Sequence, residues 1–259
     1  MDTELVPSLG TILSIWAHPD DETYLAGGVM AAARDRGQRV VCTSASAGEH
    51  GTGDPLTWPP ARLGAVRRCE AAAAMAILGV AEHHLAGLPD GALADHGAVG
   101  TDWVGRLLDD VRPDTILTFG ADGITYHPDH VAVHHWVTRA WEDRGRPGRL
   151  LYATPTVEHL ARFGARYEEW GIYMGDERPI GVAAGELAVH IRLGDAELDR
   201  KVAALRAMAT QTSDVVAMLG LAAYADQNAE EAFVAAGAGP AVPRTFRAGA
   251  NMQGASANS

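Results

Sequence analysis

The chain has 259 residues, 47% of them hydrophobic and 21% charged, with a formal net charge of −12. That is enough apolar chain to bury a core without staples, and no run approaches the eighteen apolar residues of a membrane-spanning helix. The acidic balance argues against nucleic acid as a partner, so a small-molecule ligand is expected. Two cysteines, Cys42 and Cys69, make no disulfide framework and point to a reducing, cytoplasmic setting. Cys69 sits in an alanine-rich segment and reads as a packed thiol. Residues 1–10 carry Asp2 and Glu4 and no basic region, unlike a secretory leader.

In chain order, residues 11–17 are a short apolar run bounded by Gly10 and Pro19, which predicts a strand. Helical spacing over 23–36 stops at Gly37. Residues 39–45, rich in Val and Thr, predict a second strand, and 61–78 a second helix closed by Gly79. A weaker strand follows over 82–85, then a helix over 102–111 with Pro113 two residues beyond. Residues 114–119 predict a strand ending at Gly120, 129–143 a helix and 149–153 a strand. Residues 187–191 alternate weakly and predict a late strand. This rhythm argues for one α/β domain, with a mostly parallel sheet and helices on both faces. From residue 235 onward Ala, Gly, Ser and Asn dominate. The expected division is therefore a domain over 1–234 and a flexible tail over 235–259.

An open parallel sheet holds its ligand at the carboxyl ends of its strands. There the polar residues collect: His18-Pro19-Asp20-Asp21-Glu22 after the first strand, Gly48-Glu49 after the second, Asp90-Gly91 after the third, and residues 120–130 after the fourth. A catalytic zinc commonly takes three protein ligands from His, Asp or Glu. His18 and Asp21, three apart at a strand-to-helix junction, can face one point, and His130 can supply the third ligand. Asp20 is then free as general base. His127 can stabilise an oxyanion or protonate a leaving group, and Asp129 can orient His127. Each motif alone is weak, because an Asp after a strand often caps the next helix; two motifs past two strands are stronger. His130 and His134 have the spacing of a zincin pair, but Val131 stands where its Glu belongs, so His134 and His135 read as packing or surface residues.

Ala17 to Glu22 and His127-Pro128-Asp129-His130 resemble the PIG-L/LmbE family of metal-dependent N-acyl-sugar deacetylases. The resemblance extends to Gly48-Glu49, Arg67 with Glu70, Pro89-Asp90-Gly91, Lys201 and Thr210-Gln211. It implies a Rossmann-like fold and a zinc ion held by His18, Asp21 and His130, with Fe2+ as another candidate metal. It also implies that Asp20 is the base, that His127 is its electrostatic or acid partner, and that Arg67, Asp90 and Glu49 belong to the substrate side. The chain departs from the pattern at Thr125, where some members carry tyrosine, and at Met208, where histidine is common.

The function expected is hydrolysis of an acetamide on an amino sugar or its conjugate. An amidase for a thiol-sugar conjugate or a sugar-bearing antibiotic intermediate uses the same residues. A non-catalytic sugar-binding module has little need of Asp20 or His127. A nucleotide-binding protein lacks its glycine-rich turn after the first strand. A homo-oligomer is left open.

Overall fold

The computed structural model describes residues 8–237 and 245–247. In chain order β1 (Ile12–Trp16), α1 (Asp21–Asp35), β2 (Val40–Ser44), α2 (Pro60–Leu78), β3 (Glu82–Leu85), α3 (Gly97–Val111), β4 (Thr115–Phe119), α4 (Pro128–Asp143) and β5 (Arg149–Ala153) keep the expected alternation. They are followed by α5 (Val157–Glu169), β6 (Glu177–Pro179), β7 (Val189–Arg192), α6 (Asp195–Ala207), α7 (Ala209–Leu219), α8 (Leu221–Gln227), β8 (Glu230–Ala235) and β9 (Thr245–Arg247).

The main sheet has the order β3-β2-β1-β4-β5-β8-β7. Its first five strands are parallel. β8 runs antiparallel to both β5 and β7, so the sheet is mixed at that end. Every residue of β1, β2 and β4 is buried, as expected of central strands covered on both faces. β7, at one edge, buries Val189 and Ile191 and exposes His190 and Arg192. α1, α2 and α6 pack together, while α3 packs on α4, and both groups reach β1. Gly79 ends α2 at φ 79°, returning its amide to Ala76 and Met75; a left-handed residue there suits glycine.

β1 lies between β2 and β4. The chain leaves β1 towards one side of the sheet and later returns to the other. The crevice past the carboxyl ends of β1 and β4 is therefore the topological switch point, where such sheets take their ligand.

Two expectations change. Cys69 lies on an exposed face of α2 and is not packed. Of the expected tail, Ala235 closes β8 and residues 245–247 pair with β6; residues 238–244 and 248–259 lie outside the described residues. Among the described residues no helix is long and apolar enough to cross a membrane.

The α3–α4 contact depends on a missing side chain. A Cβ on Gly100 would lie 2.1 Å from Cδ2 of Trp136, which is itself buried. Gly100→Ala is expected to lower stability by about 1–3 kcal/mol through overpacking, measured as a fall in the urea midpoint. An unchanged midpoint contradicts this packing.

Candidate metal centre

β1 delivers the chain to the crevice, and the next residues turn sharply. Asp20 has φ 131° and ψ −35°, a conformation that non-glycine residues adopt only under constraint from their surroundings. Its carbonyl accepts from the amides of Thr23 and Tyr24, both at 2.9 Å, which starts α1. Asp20 thus occupies the capping position, but its side chain turns to Arg67 Nη2 at 3.1 Å. The capping explanation for Asp20 therefore fails.

His18, Asp21 and His130 converge. His18 Nδ1 lies 3.2 Å from His130 Nε2 and 3.5 Å from Asp21 Oδ2, and His130 Nε2 lies 3.4 Å from Asp21 Oδ1. Ligands about 2.0–2.1 Å from a tetrahedral zinc are spaced by roughly 3.3 Å. The ring tautomers agree with this. Nδ1 of His130 donates to the Gly123 carbonyl at 2.9 Å, so Nε2 keeps its lone pair. Burial holds His130 down at about 4, which keeps the ring neutral and available. His18 uses Nε2 on Asp90 Oδ1 at 3.0 Å and Asp129 Oδ2 at 3.3 Å, which leaves Nδ1 for a metal. Burial opposes a charge on Asp21, but His130 and His18 hold its carboxyl well below the usual range. Three acceptors facing one another at these distances fit a cation between them.

Asp129 corrects one expectation. Its carboxylate does not orient His127. It accepts from His18 Nε2 and from the amides of Gly91 at 2.7 Å and Leu93 at 2.9 Å. Asp90 is likewise directed to His18, and its other oxygen accepts from the His50 amide at 2.7 Å. Carboxylates on the far nitrogen of a ligating histidine fix its ring and raise its basicity. Burial lowers the basicity of His18, but bonds to Asp129, Asp21 and Asp90 outweigh it and raise the ring well above its ordinary value. The same carboxylates that favour a proton on His18 favour a metal in its place.

Arg67 is also placed otherwise than expected. It is 4% exposed and spends its guanidinium on Gly48 O at 2.8 Å, Pro19 O at 2.5 Å and Asp20. It ties two site loops together and sets Asp20 through its two terminal nitrogens, while its Nε is buried with no hydrogen-bond partner among the described residues. Glu49 Oε1 accepts from the Asp90 amide at 3.1 Å. Burial pushes the Asp20 carboxyl up to about 6, against the pull of Arg67, a poise suited to proton transfer near neutrality. Glu22 accepts from the Asp20 amide at 3.1 Å and supports the turn.

Among the described residues, two other groupings around His18 could also hold a metal: His18, His127 and His130, and His18, Asp90 and Asp129. Hydrogen bonding separates their roles. Nδ1 of His127 accepts from the Asp129 amide at 3.1 Å, so Nε2 carries the proton and the ring offers a donor. Its ring lies 4.9 Å from that of His18 and 4.8 Å from that of His130. Asp90 and Asp129 are already occupied by backbone amides and by His18.

Asp21 and His130 also face a cavity of about 360 Å³. Tyr24, Tyr167, Trp170, Tyr173 and Tyr224 form much of its wall, and no Lys or Arg lines it among the described residues.

The family model for PIG-L, GlcNAc-PI de-N-acetylase, matches residues 13–141. The chain is similar to 1D-myo-inositol 2-acetamido-2-deoxy-alpha-D-glucopyranoside deacetylase of Mycobacterium sp. (strain KMS), 33% identical over an alignment of 244 positions covering 82% of this chain and 76% of the relative. The chain belongs to the PIG-L family. Solved structures share the fold of this PIG-L chain. N,N'-diacetylchitobiose deacetylase from Pyrococcus horikoshii is 20% identical, with a TM-score of 0.62 over 91% of this chain and 87% of that one. The A40926 pseudoaglycone deacetylase is 22% identical, with a TM-score of 0.64 over 93% and 99%.

At the PIG-L departures, Thr125 lines the cavity. Tyr126 instead lines a separate groove with Trp136 and Arg139, and its hydroxyl is buried with no hydrogen-bond partner among the described residues. Tyr126 is therefore no substitute at the oxyanion. His134 is buried and bonded to the Phe119 carbonyl at 2.9 Å, and His135 is exposed, matching their packing and surface roles. The cavity wall has no sequence signature because its aromatics are scattered over α1, α5, α8 and a loop.

Removing one of the two carboxylates behind His18 tests that support. Asp129→Asn is expected to weaken metal binding roughly 10–100-fold, measured by competition with a chromophoric chelator. Unchanged affinity contradicts the support role.

Proposed function

We propose that this chain is a metal-dependent hydrolase that removes the acetyl group from an N-acetylglucosamine conjugate, with zinc at His18, Asp21 and His130. The observation that carries this reading is the trio of metal-facing atoms 3.2–3.5 Å apart, with both rings turned lone-pair inward by their outer bonds. Two imidazoles and one carboxylate suit zinc; ferrous iron accepts the same set. A divalent metal there acidifies water and polarises an amide carbonyl.

The residues divide the remaining work. Asp20, bound to Arg67 through Oδ2, takes the proton from the attacking water at its carboxylate. His127 directs its Nε2–H to the carbonyl oxygen as charge develops, and Asp20 passes the proton it has taken to the departing nitrogen. One water is consumed, and acetate and a free amine leave. Arg67, Asp90 and Glu49 serve by holding Asp20 and His18 in place.

The substrate enters from the aromatic cavity. With no cationic side chain on that wall among the described residues, an uncharged conjugate is favoured over a phosphate-bearing one. The relative's inositol glycoside belongs to that uncharged class. A second reading, a sugar on a large aromatic antibiotic intermediate, draws on the five aromatic wall residues. Two free cysteines support a cytoplasmic setting.

The test is Asp20→Asn, assayed for acetate release from N-acetylglucosaminyl-inositol and for bound zinc. Turnover is expected to fall about 10²–10⁴-fold with zinc retained. Wild-type turnover removes Asp20 as the base, and loss of zinc makes it a ligand.

A further inference from the structure

α1 carries Asp21 on its first turn, and its hydrogen-bond ladder is interrupted by two charged side chains from elsewhere in the fold. In an unbroken α-helix the Gly28 amide donates to the Tyr24 carbonyl. Here the Tyr24 carbonyl accepts from Lys201 Nζ at 2.8 Å, and the Gly28 amide donates to Glu231 Oε1 at 2.7 Å. The next amide, Val29, donates to Glu231 Oε2 at 2.8 Å. Lys201 and Glu231 pair with each other at 2.7 Å, and both side chains are 0% exposed. Gly28 makes room: a Cβ there would lie 3.2 Å from Glu231 Oε1 and 2.5 Å from Leu193.

We propose that Lys201 and Glu231 are positioning residues, holding α1 open at its second turn so that Asp20 and Asp21 keep the geometry of the metal centre. The path is short. Tyr24, whose carbonyl Lys201 grips, donates its own amide to the Asp20 carbonyl at 2.9 Å. Asp20 holds φ 131°, which persists only where neighbouring structure over-determines it. Side chains inserted into a helix ladder bend the helix. Stability gives no reason for the pair, since well-packed apolar residues commonly replace buried ion pairs without loss. If the pair is replaced so, the Gly28 amide can return to the Tyr24 carbonyl, which closes the helix and moves its first turn. Lys201 stands on α6 and Glu231 on β8, so the last third of the chain governs the motif after β1.

The inference rests on the metal-centre reading, and cobalt substitution tests the two separately. The double variant Lys201→Met with Glu231→Leu is compared with the wild type for melting, cobalt affinity, visible cobalt absorption and deacetylation. The expected result is cooperative melting, a shifted cobalt band, affinity lower by about tenfold, and kcat reduced about tenfold or more with KM within about twofold. A folded double variant with the wild-type cobalt band and kcat overturns the proposal. Should the double variant not fold, Glu231→Gln decides, because it keeps the side-chain volume but only one acceptor oxygen. A shifted cobalt band with cooperative melting supports the proposal, and the wild-type band overturns it. A wild-type protein that takes up no cobalt overturns both the metal centre and the positioning role; a wild-type spectrum in the variants overturns the positioning role alone.

Discussion

His18 is bonded on both ring nitrogens, in opposite directions. Nε2 donates to Asp90 and Asp129, and Nδ1 faces Asp21 and His130. One ring thus links the carboxyl end of β1 to the loop after β3 and to the start of α4. His130 is fixed in the same manner by the Gly123 carbonyl. An imidazole whose outer nitrogen is held by an acceptor has one lone pair left and one direction in which to offer it. The metal site therefore depends on the outer bonds more than on the proximity of the three residues, since His18 also stands 3.0 Å from Asp90 and 3.3 Å from Asp129.

The cost of this arrangement is spread around it. Asp20, Asp21, Glu22, Glu49, Asp90 and Asp129 crowd one crevice, with Arg67 as the cation bonded to Asp20 and to two loop carbonyls. A divalent metal offsets much of the remaining repulsion. The strained turn at Asp20 is braced from three sides: Arg67 on its carboxylate, Glu22 on its amide, and the first turn of α1 on its carbonyl. Bracing of this kind lets a carboxylate remain partly buried, poised and uncommitted to a metal.

The convergence of the candidate site residues is legible because the two motifs stand directly after two predicted strands, and parallel topology places strand ends together. His18, Asp20, Asp21, His127 and His130 all lie in the crevice. The direction of each hydrogen bond was not legible. Asp129 follows His127 by two residues, yet its carboxylate serves His18, because the α4 N-terminus turns it back towards Gly91 and Leu93. Arg67 looked free for substrate because a sequence does not show that Gly48 and Pro19 present their carbonyls to it. The region after residue 153 is the least legible in sequence. β8 opens with Glu230 and Glu231, which hide its strand character, and the burial of Glu231 makes sense only beside Lys201, thirty residues earlier in sequence.

The proposed metal centre has His18 binding through Nδ1, together with Asp21 and His130. X-ray absorption at the zinc edge of the metal-loaded protein tests it most directly. Two imidazole nitrogens and one carboxylate oxygen are expected among the ligands, at about 2.0–2.2 Å. Three imidazoles would place His127 on the metal, and one imidazole with two carboxylates would move the ion to the Asp90 and Asp129 side; either result contradicts binding by His18, Asp21 and His130.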